Sequence, residues 1–386
     1  MRTTLSGLAL GLLVVGVVLV GANAFVLSPI MGDVARELGT DPIRIARSIS
    51  AFGATTAFSA FLLSGLVDRY GPRITLAGCA ALVGIAQVVA GLSASWQMLA
   101  ASQALAGLAV GVMLPAIYAT ATSTAPEGRE TGRLGTVLTG WAVSLVAAVP
   151  LSAFMTSHFG WRSIYLTLAV ASFAVAAGYA LRMPRALGGK RSASRPMQAF
   201  MLPGVRPVML ICLVFMTGFY GTFSYFGEGV RAASGQGAGR AGLYVMAYGL
   251  GFGLSGALVG RFGAIRSQRG LVVLLFAISF AYFAMSVTLA HPVLAMLNAA
   301  AWGFLNQYGV NGIIVLLNRA APHAGGAAMG LHSTVTYLAV FLGPWLMSLV
   351  YLRGGFPAVT TGAGILLLAT AVGLVLFRGR DGGTRL

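Results

Sequence analysis

The chain is written in long apolar runs broken by short polar gaps. A helix needs about 20 mostly apolar residues to cross the hydrocarbon of a bilayer. Runs of that length fall near residues 5–28, 46–66, 74–94, 97–121, 134–157 and 163–182. Six more fall near 205–227, 241–260, 270–290, 293–317, 326–350 and 357–377. A helix apolar on every side is a membrane span or a buried core helix, and twelve in series decide for the membrane. The pattern predicts an all-α membrane protein with twelve transmembrane helices. The longest polar stretch divides it into 1–182, a basic linker 183–203, and 204–386.

The first run has a single arginine ahead of it and Ala22 and Ala24 near its end, as a secretory signal peptide does. Its apolar stretch runs from Leu5 past Val20, longer than a signal core, and more spans follow. The expectation is an uncleaved first span.

Composition agrees. The 386 residues are 58% hydrophobic and only 9% charged, against about 25% charged in ordinary soluble domains. No single soluble core could bury that much apolar surface. The net charge of +17 raises nucleic acid as a partner. The basic residues, however, sit in short gaps between apolar runs, the pattern of loops facing anionic lipid headgroups rather than of a basic groove. With the N-terminus inside, 18 of the 25 basic residues fall on the cytoplasmic side, so both termini are expected to be cytoplasmic. Cys79 and Cys212 lie within apolar runs, which argues against a disulfide or a metal site. Lys190 is the single lysine, and that arginine bias points to a GC-rich bacterial genome.

The two halves repeat. The stretch 66-LVDRYG-71 recurs as 258-LVGRFG-263, and Ala125-Pro126 recurs as Ala321-Pro322. Pro150 matches Pro344, and Gly160 matches Gly355. The shifts lie between 192 and 196 residues. Two related six-helix bundles are predicted, a plan that places a substrate site near the bilayer midplane between repeats.

With twelve spans and this repeat, the chain resembles the major facilitator superfamily. The resemblance rests on Gly65, Asp68, Arg69, Gly71 and Arg73 between the second and third spans. Pro115, 125-APEGRETGRLG-135, Val149-Pro150 and 159-FGWR-162 point to its drug and sugar (arabinose-type) efflux permeases. The resemblance implies a gating motif. Asp68 meets the N-terminal end of the eleventh span, 325-GGAAMG-330, when the inner gate is shut, and Arg69 and Arg73 can pair with Glu127 and Glu130. Gly260 replaces the aspartate in the second half. Gln103 stands where the branch usually has an arginine, and Ala148 and Ser152 stand where it has glycines around Pro150. The missing arginine departs from the usual proton-coupling scheme.

Of the eight acids, Asp33, Glu37 and Asp41 fall in the first outer loop, and Asp68, Glu127, Glu130 and Asp381 on the inner side. Glu228 remains, near the outer end of the seventh span, on one helical face with Thr217, Tyr220 and Ser224. An ionisable group at membrane depth is a functional hypothesis by default. Glu228 is therefore a candidate for proton or substrate binding, with pairing to Arg231 as the alternative. His332, inside the eleventh span, is the second proton-coupling candidate, with hydrogen-bonded packing as its alternative. The remaining intramembrane polar groups are neutral: Asn23, Gln103, Tyr118, Tyr220, Ser224, Asn298, Trp302, Asn306, Gln307, Asn311 and Tyr337. They suit an uncharged hydroxylated or amphipathic solute, although each amide could instead bridge two helices. Gly107 and Gly111 read as close helix packing.

The expected protein is a secondary transporter in the bacterial inner membrane that exports a small organic solute, driven by protons. An uncoupled or uptake carrier and a transport-dead sensor are the rivals. No nucleotide loop, metal cluster or catalytic triad marks an enzyme, and no cofactor is expected. Family habit implies a monomer.

Overall fold

The computed structural model describes residues 5–63, 65–185, 200–235, 237–263, 265, 267–322 and 325–378. Most of the predicted linker and the predicted tails lie outside them, as do Lys190, Asp381 and His323.

Every regular element described is helical. The first half holds α1 Gly7–Phe25, α2 Leu27–Glu37, α3 Pro42–Leu63, α4 Leu66–Gly91 and α5 Trp96–Ser123. It continues with α6 Glu130–Val143, a π-helical turn at Ser144–Ala148, α7 Val149–Phe159 and α8 Trp161–Arg182. The second half holds α9 Val205–Ser234, α10 Ala238–Phe262, α11 Gln268–Thr288, α12 Pro292–Ala320 and α13 Gly325–Arg378. Helix α13 is two arms joined over non-helical Gly354 and Gly355.

Among the described residues, nine helices are long and apolar enough to cross a membrane, and one of these is the two-armed α13. Helices α3 and α12 complete the twelve spans; hydroxyls and amides along them lower their hydropathy. The chain is a multi-pass all-α membrane protein. It divides into two compact units, Met1–Ala193 and Ser194–Leu386.

Two sequence features explain the irregular elements. Pro150 has no N–H to continue the α-helical ladder, and the helix answers with the π turn just before it. Part of the segment expected as the first outer loop is instead the amphipathic helix α2. Its apolar face, including Ile30, Met31 and Val34, is fully buried. Glu37 at its end pairs with Arg162. The same guanidinium donates to the Ser93 carbonyl at 2.9 Å and lies 4.5 Å over the Trp161 ring, so one arginine ties α2, α4 and α8 together.

The repeat reappears in the backbone. Gly71 and Gly263 hold φ of +75° and +81° with ψ near extended, a region open essentially to glycine alone. Gly160 and Gly355 share the same kind of conformation.

The repeat also reappears in packing, in a register of 196. In the first half, a Cβ on Gly107 would overlap the Phe52 carbonyl, and Thr55 donates to the Ala104 carbonyl at 2.8 Å. In the second half, a Cβ on Gly303 would overlap the Tyr248 carbonyl, and one on Gly251 the Ala300 carbonyl. The loop motif, however, repeats at 192. The second half is therefore shorter by four residues between its α10 packing face and its loop, about one helical turn. Removing one turn keeps the face and moves only the loop.

Gly107→Ala is expected to destabilise the protein by about 1–3 kcal/mol through overpacking against α3. Gly78→Ala, at a glycine with nothing within 4 Å of an added Cβ, should be neutral or stabilising by up to about 1 kcal/mol. Thermal unfolding of both variants in detergent checks the contrast.

Candidate functional site

In the first half, the motif residues form the entry to α4. Gly65 caps the helix, a single turn carries exposed Asp68 and Arg69, and the chain breaks at Gly71. The helix then restarts on Pro72, a position that suits proline because its missing N–H would have no helical partner. Arg69 lies 5.2 Å over the Tyr70 ring. Arg73 turns to the end of α8: its Nε donates to the Met183 carbonyl at 2.8 Å and its main-chain N–H to the Pro184 carbonyl at 3.2 Å. A cation at the carbonyl end of a helix complements the helix dipole. Among the described residues, neither Arg69 nor Arg73 is ion-paired with Glu127 or Glu130, the partners expected from the resemblance.

The polar span residues of this half are joined in pairs. Asn23 on α1 is 2% exposed and accepts a 2.6 Å hydrogen bond from Gln87 on α4. The Trp141 indole on α6 donates to the Tyr118 hydroxyl on α5 at 2.9 Å. The same indole meets the Phe25 ring edge-on at 6.1 Å, beside the π turn. Gln103 is buried on α5.

In the second half, Trp302 is the centre. It is fully buried and touches Phe219, Phe223 and Phe226 of α9, Tyr248 of α10 and Tyr282 of α11, at centroid distances of 4.7 to 6.2 Å. One turn on, Asn306 donates to the Tyr248 hydroxyl at 2.8 Å, and its own carbonyl oxygen is buried without a partner. One turn back, Asn298 is tied to α11: its amide donates to the Ala281 carbonyl at 3.0 Å. Gln307 lies against Gly256 of α10, and the Asn311 amide nitrogen is buried without a partner.

Along α9, Thr217 and Ser224 are buried, and the Ser224 hydroxyl donates to the carbonyl of Tyr220 one turn back. Glu228 is partly buried. One of its carboxylate oxygens is buried without a hydrogen-bond partner, and one turn back the Tyr225 ring stacks on Tyr351 at 4.7 Å. His332 is 8% exposed with Nε2 unpartnered, and Tyr337 is buried on the same arm of α13.

Four of these residues escaped the sequence reading: Gln87, Trp141, Tyr248 and Tyr282. Gln87 and Trp141 are polar groups inside apolar runs, the signal that marked Asn23 and Tyr118. The two tyrosines carry no such flag until their partners are known. Among the described residues, no group of three or more His, Cys, Asp or Glu could hold a metal ion.

Twelve spans in two repeated bundles, with neutral polar groups buried between helices, define a solute carrier of the membrane. The sequence pattern of the Major Facilitator Superfamily matches residues 13–344, and the chain belongs to that family. It is 29% identical to an uncharacterized MFS-type transporter, YwfA, of Bacillus subtilis, over 94% of this chain and 90% of that one. It is 24% identical to the transcription regulatory protein OpdE of Pseudomonas aeruginosa, over 91% and 88%. It is also 24% identical to a chloramphenicol efflux pump of Mycobacterium tuberculosis, over 88% and 84%. The chain is a secondary transporter of a small solute rather than an enzyme.

The Asn306–Tyr248 bond can be weighed directly. Asn306→Ala and Tyr248→Phe should each lower stability, and the double variant should lose less than their sum. Interhelical bonds of this kind couple by about 0.6 kcal/mol on average and seldom beyond about 2. A double-mutant cycle from thermal unfolding measures the coupling; additive losses would remove the bond from the account.

Proposed function

We propose that this transporter exports a small uncharged or amphipathic organic solute in exchange for protons. It works by alternating access in a bacterial inner membrane, as a monomer with both termini cytoplasmic. The observation that carries the coupling is Glu228, the one acid of the eight left near the outer end of a span rather than in a loop or tail, with a carboxylate oxygen buried and unpartnered. An ionisable side chain at membrane depth is a candidate proton carrier. His332, buried with an unpartnered ring nitrogen, is the second group that could relay one.

The solute class follows from the neutral set. Asn23, Gln103, Tyr118, Tyr220, Ser224, Asn298, Trp302, Asn306, Gln307, Asn311 and Tyr337 offer amides, hydroxyls and rings, and no fixed charge. An amphenicol has matching hydroxyl and amide groups, and one relative is named as a chloramphenicol efflux pump. Gly65, Asp68, Arg69, Gly71 and Arg73 serve the inner gate.

Two further readings each have an observation behind them. The scarcity of intramembrane acids favours an uncoupled carrier. The relative named as a transcription regulatory protein favours a membrane sensor that moves nothing.

Proteoliposomes holding a pH-sensitive dye separate the three. On addition of chloramphenicol, the wild type should move protons. Glu228→Gln should abolish that signal while exchange of labelled solute persists, and His332→Ala should reduce it. A proton signal that survives in both variants refutes the coupling assignment. Solute flux without any proton signal in the wild type establishes the uncoupled carrier. Absence of flux for every solute offered, with a folded protein, leaves the sensor.

A further inference from the structure

The 196-residue packing register allows the two halves to be compared contact by contact, and they differ at Gly111. In the first half, Gly111 of α5 faces α3 so closely that a Cβ would overlap the Thr56 carbonyl and the Ser59 hydroxyl. The Ser59 hydroxyl is used there, donating to the Gly107 and Thr56 carbonyls at 3.3 Å each. The equivalent residues of the second half are Gln307 and Ser255. Glutamine replaces the glycine that let the helices touch. Its side chain lies against α10, with Nε2 3.6 Å from where a Gly256 Cβ would stand.

Between α10 and α12 lies a pocket of about 220 Å³, lined by Ser255, Leu258, Val259, Phe304 and Tyr308. Its lining is mostly apolar. Ser255 lies at its wall, fully buried, and its hydroxyl has no hydrogen-bond partner, unlike that of Ser59. The Phe304 and Tyr308 rings are nearly parallel, 15° apart with centroids at 6.4 Å, and form one flat wall. That wall is fixed, because the Tyr308 hydroxyl donates to the Gly263 carbonyl at the end of α10 at 2.8 Å. None of the five lining residues belongs to the set proposed to meet the transported solute.

We infer that the α10–α12 pocket of the second half is a binding site for a small, uncharged aromatic molecule carrying one hydrogen-bonding group, of the phenol class. The ring lies against Phe304 and Tyr308, and the polar group meets the Ser255 hydroxyl. In the first half, Gly111 lets the equivalent helices close and Ser59 bonds its own neighbours.

The test is a 19F NMR titration of 4-fluorophenol against the full-length protein in lipid nanodiscs, with empty nanodiscs as the partition control. The wild type should show saturable binding beyond the control. Ser255→Ala should weaken it about fivefold, the loss of one hydrogen bond. Val259→Phe, which fills the pocket, should abolish it. Gln307→Gly, which restores the glycine of the first half, should abolish it as well and provides a second variant if Val259→Phe fails to fold. Ser59→Ala should leave it unchanged. Partition no greater than in empty nanodiscs would overturn the site, and so would saturable binding indifferent to both pocket-closing variants.

Discussion

Lipid gives a helix no reason to seek another helix. The hydrophobic effect that packs soluble cores is absent where the solvent is itself apolar, so association rests on close van der Waals contact and on hydrogen bonds between helices. The α3–α5 pair shows what that requires. Glycines 107 and 111 remove the side chains that would separate the backbones, and Thr55 and Ser59 send their hydroxyls across to α5 carbonyls. The α10–α12 pair uses Gly251 and Gly303 to the same end. Each unit holds such a contact. The helices that carry Gln103, Trp302 and Asn306 are also the helices that make it, so the position of the polar groups is set by the glycines.

The same constraint explains how the halves could diverge while keeping one plan. A helix–helix contact tolerates the loss of a whole turn outside it, because four residues return nearly to the same face. The loop between α10 and α11 has lost that turn and the aspartate of its partner loop, yet it keeps the left-handed glycine that makes the bend. A change at the contact itself is different in kind. Gln307 stands in place of a glycine, and between the same two helices lies a pocket with a buried hydroxyl at its wall.

The fold was largely legible in the sequence, since span length and the absence of charge depend on local composition alone. The repeat was legible too, because glycines in a glycine-only conformation and prolines without an N–H cannot drift far. Helix α2 was missed because 33 to 41 hold three acids and two glycines lie nearby, which reads as a loop. Its apolar face becomes visible only with its neighbours, Arg162 above all. The candidate site was half legible. A polar residue in an apolar run announces itself, but its partner sits on another helix. Gln87 is 64 residues from Asn23, and Tyr248 is 58 from Asn306. Sequence spacing carries no information on such pairings, nor on which amides are tied down, as Asn298 is by α11.

That distinction bears on the solute. A primary amide has two donors and a two-lone-pair acceptor, so one hydrogen bond to a neighbour fixes its orientation without exhausting it. Asn23 is held through its oxygen and keeps a buried nitrogen without a partner; Gln87 is held through its nitrogen and keeps its oxygen. Asn306, held by Tyr248, keeps its oxygen as well. In a low dielectric such leftover groups are costly, by about 1–3 kcal/mol each. They repay that cost only when something supplies the complementary donor or acceptor. Water can do so, and so can a hydroxylated solute whose groups are spaced to match. A charged solute could not be neutralised by them, since an amide offers a dipole and no counter-charge. The neutral-solute proposal thus rests less on the number of amides than on how they are tethered: fixed at one atom, and open at the other.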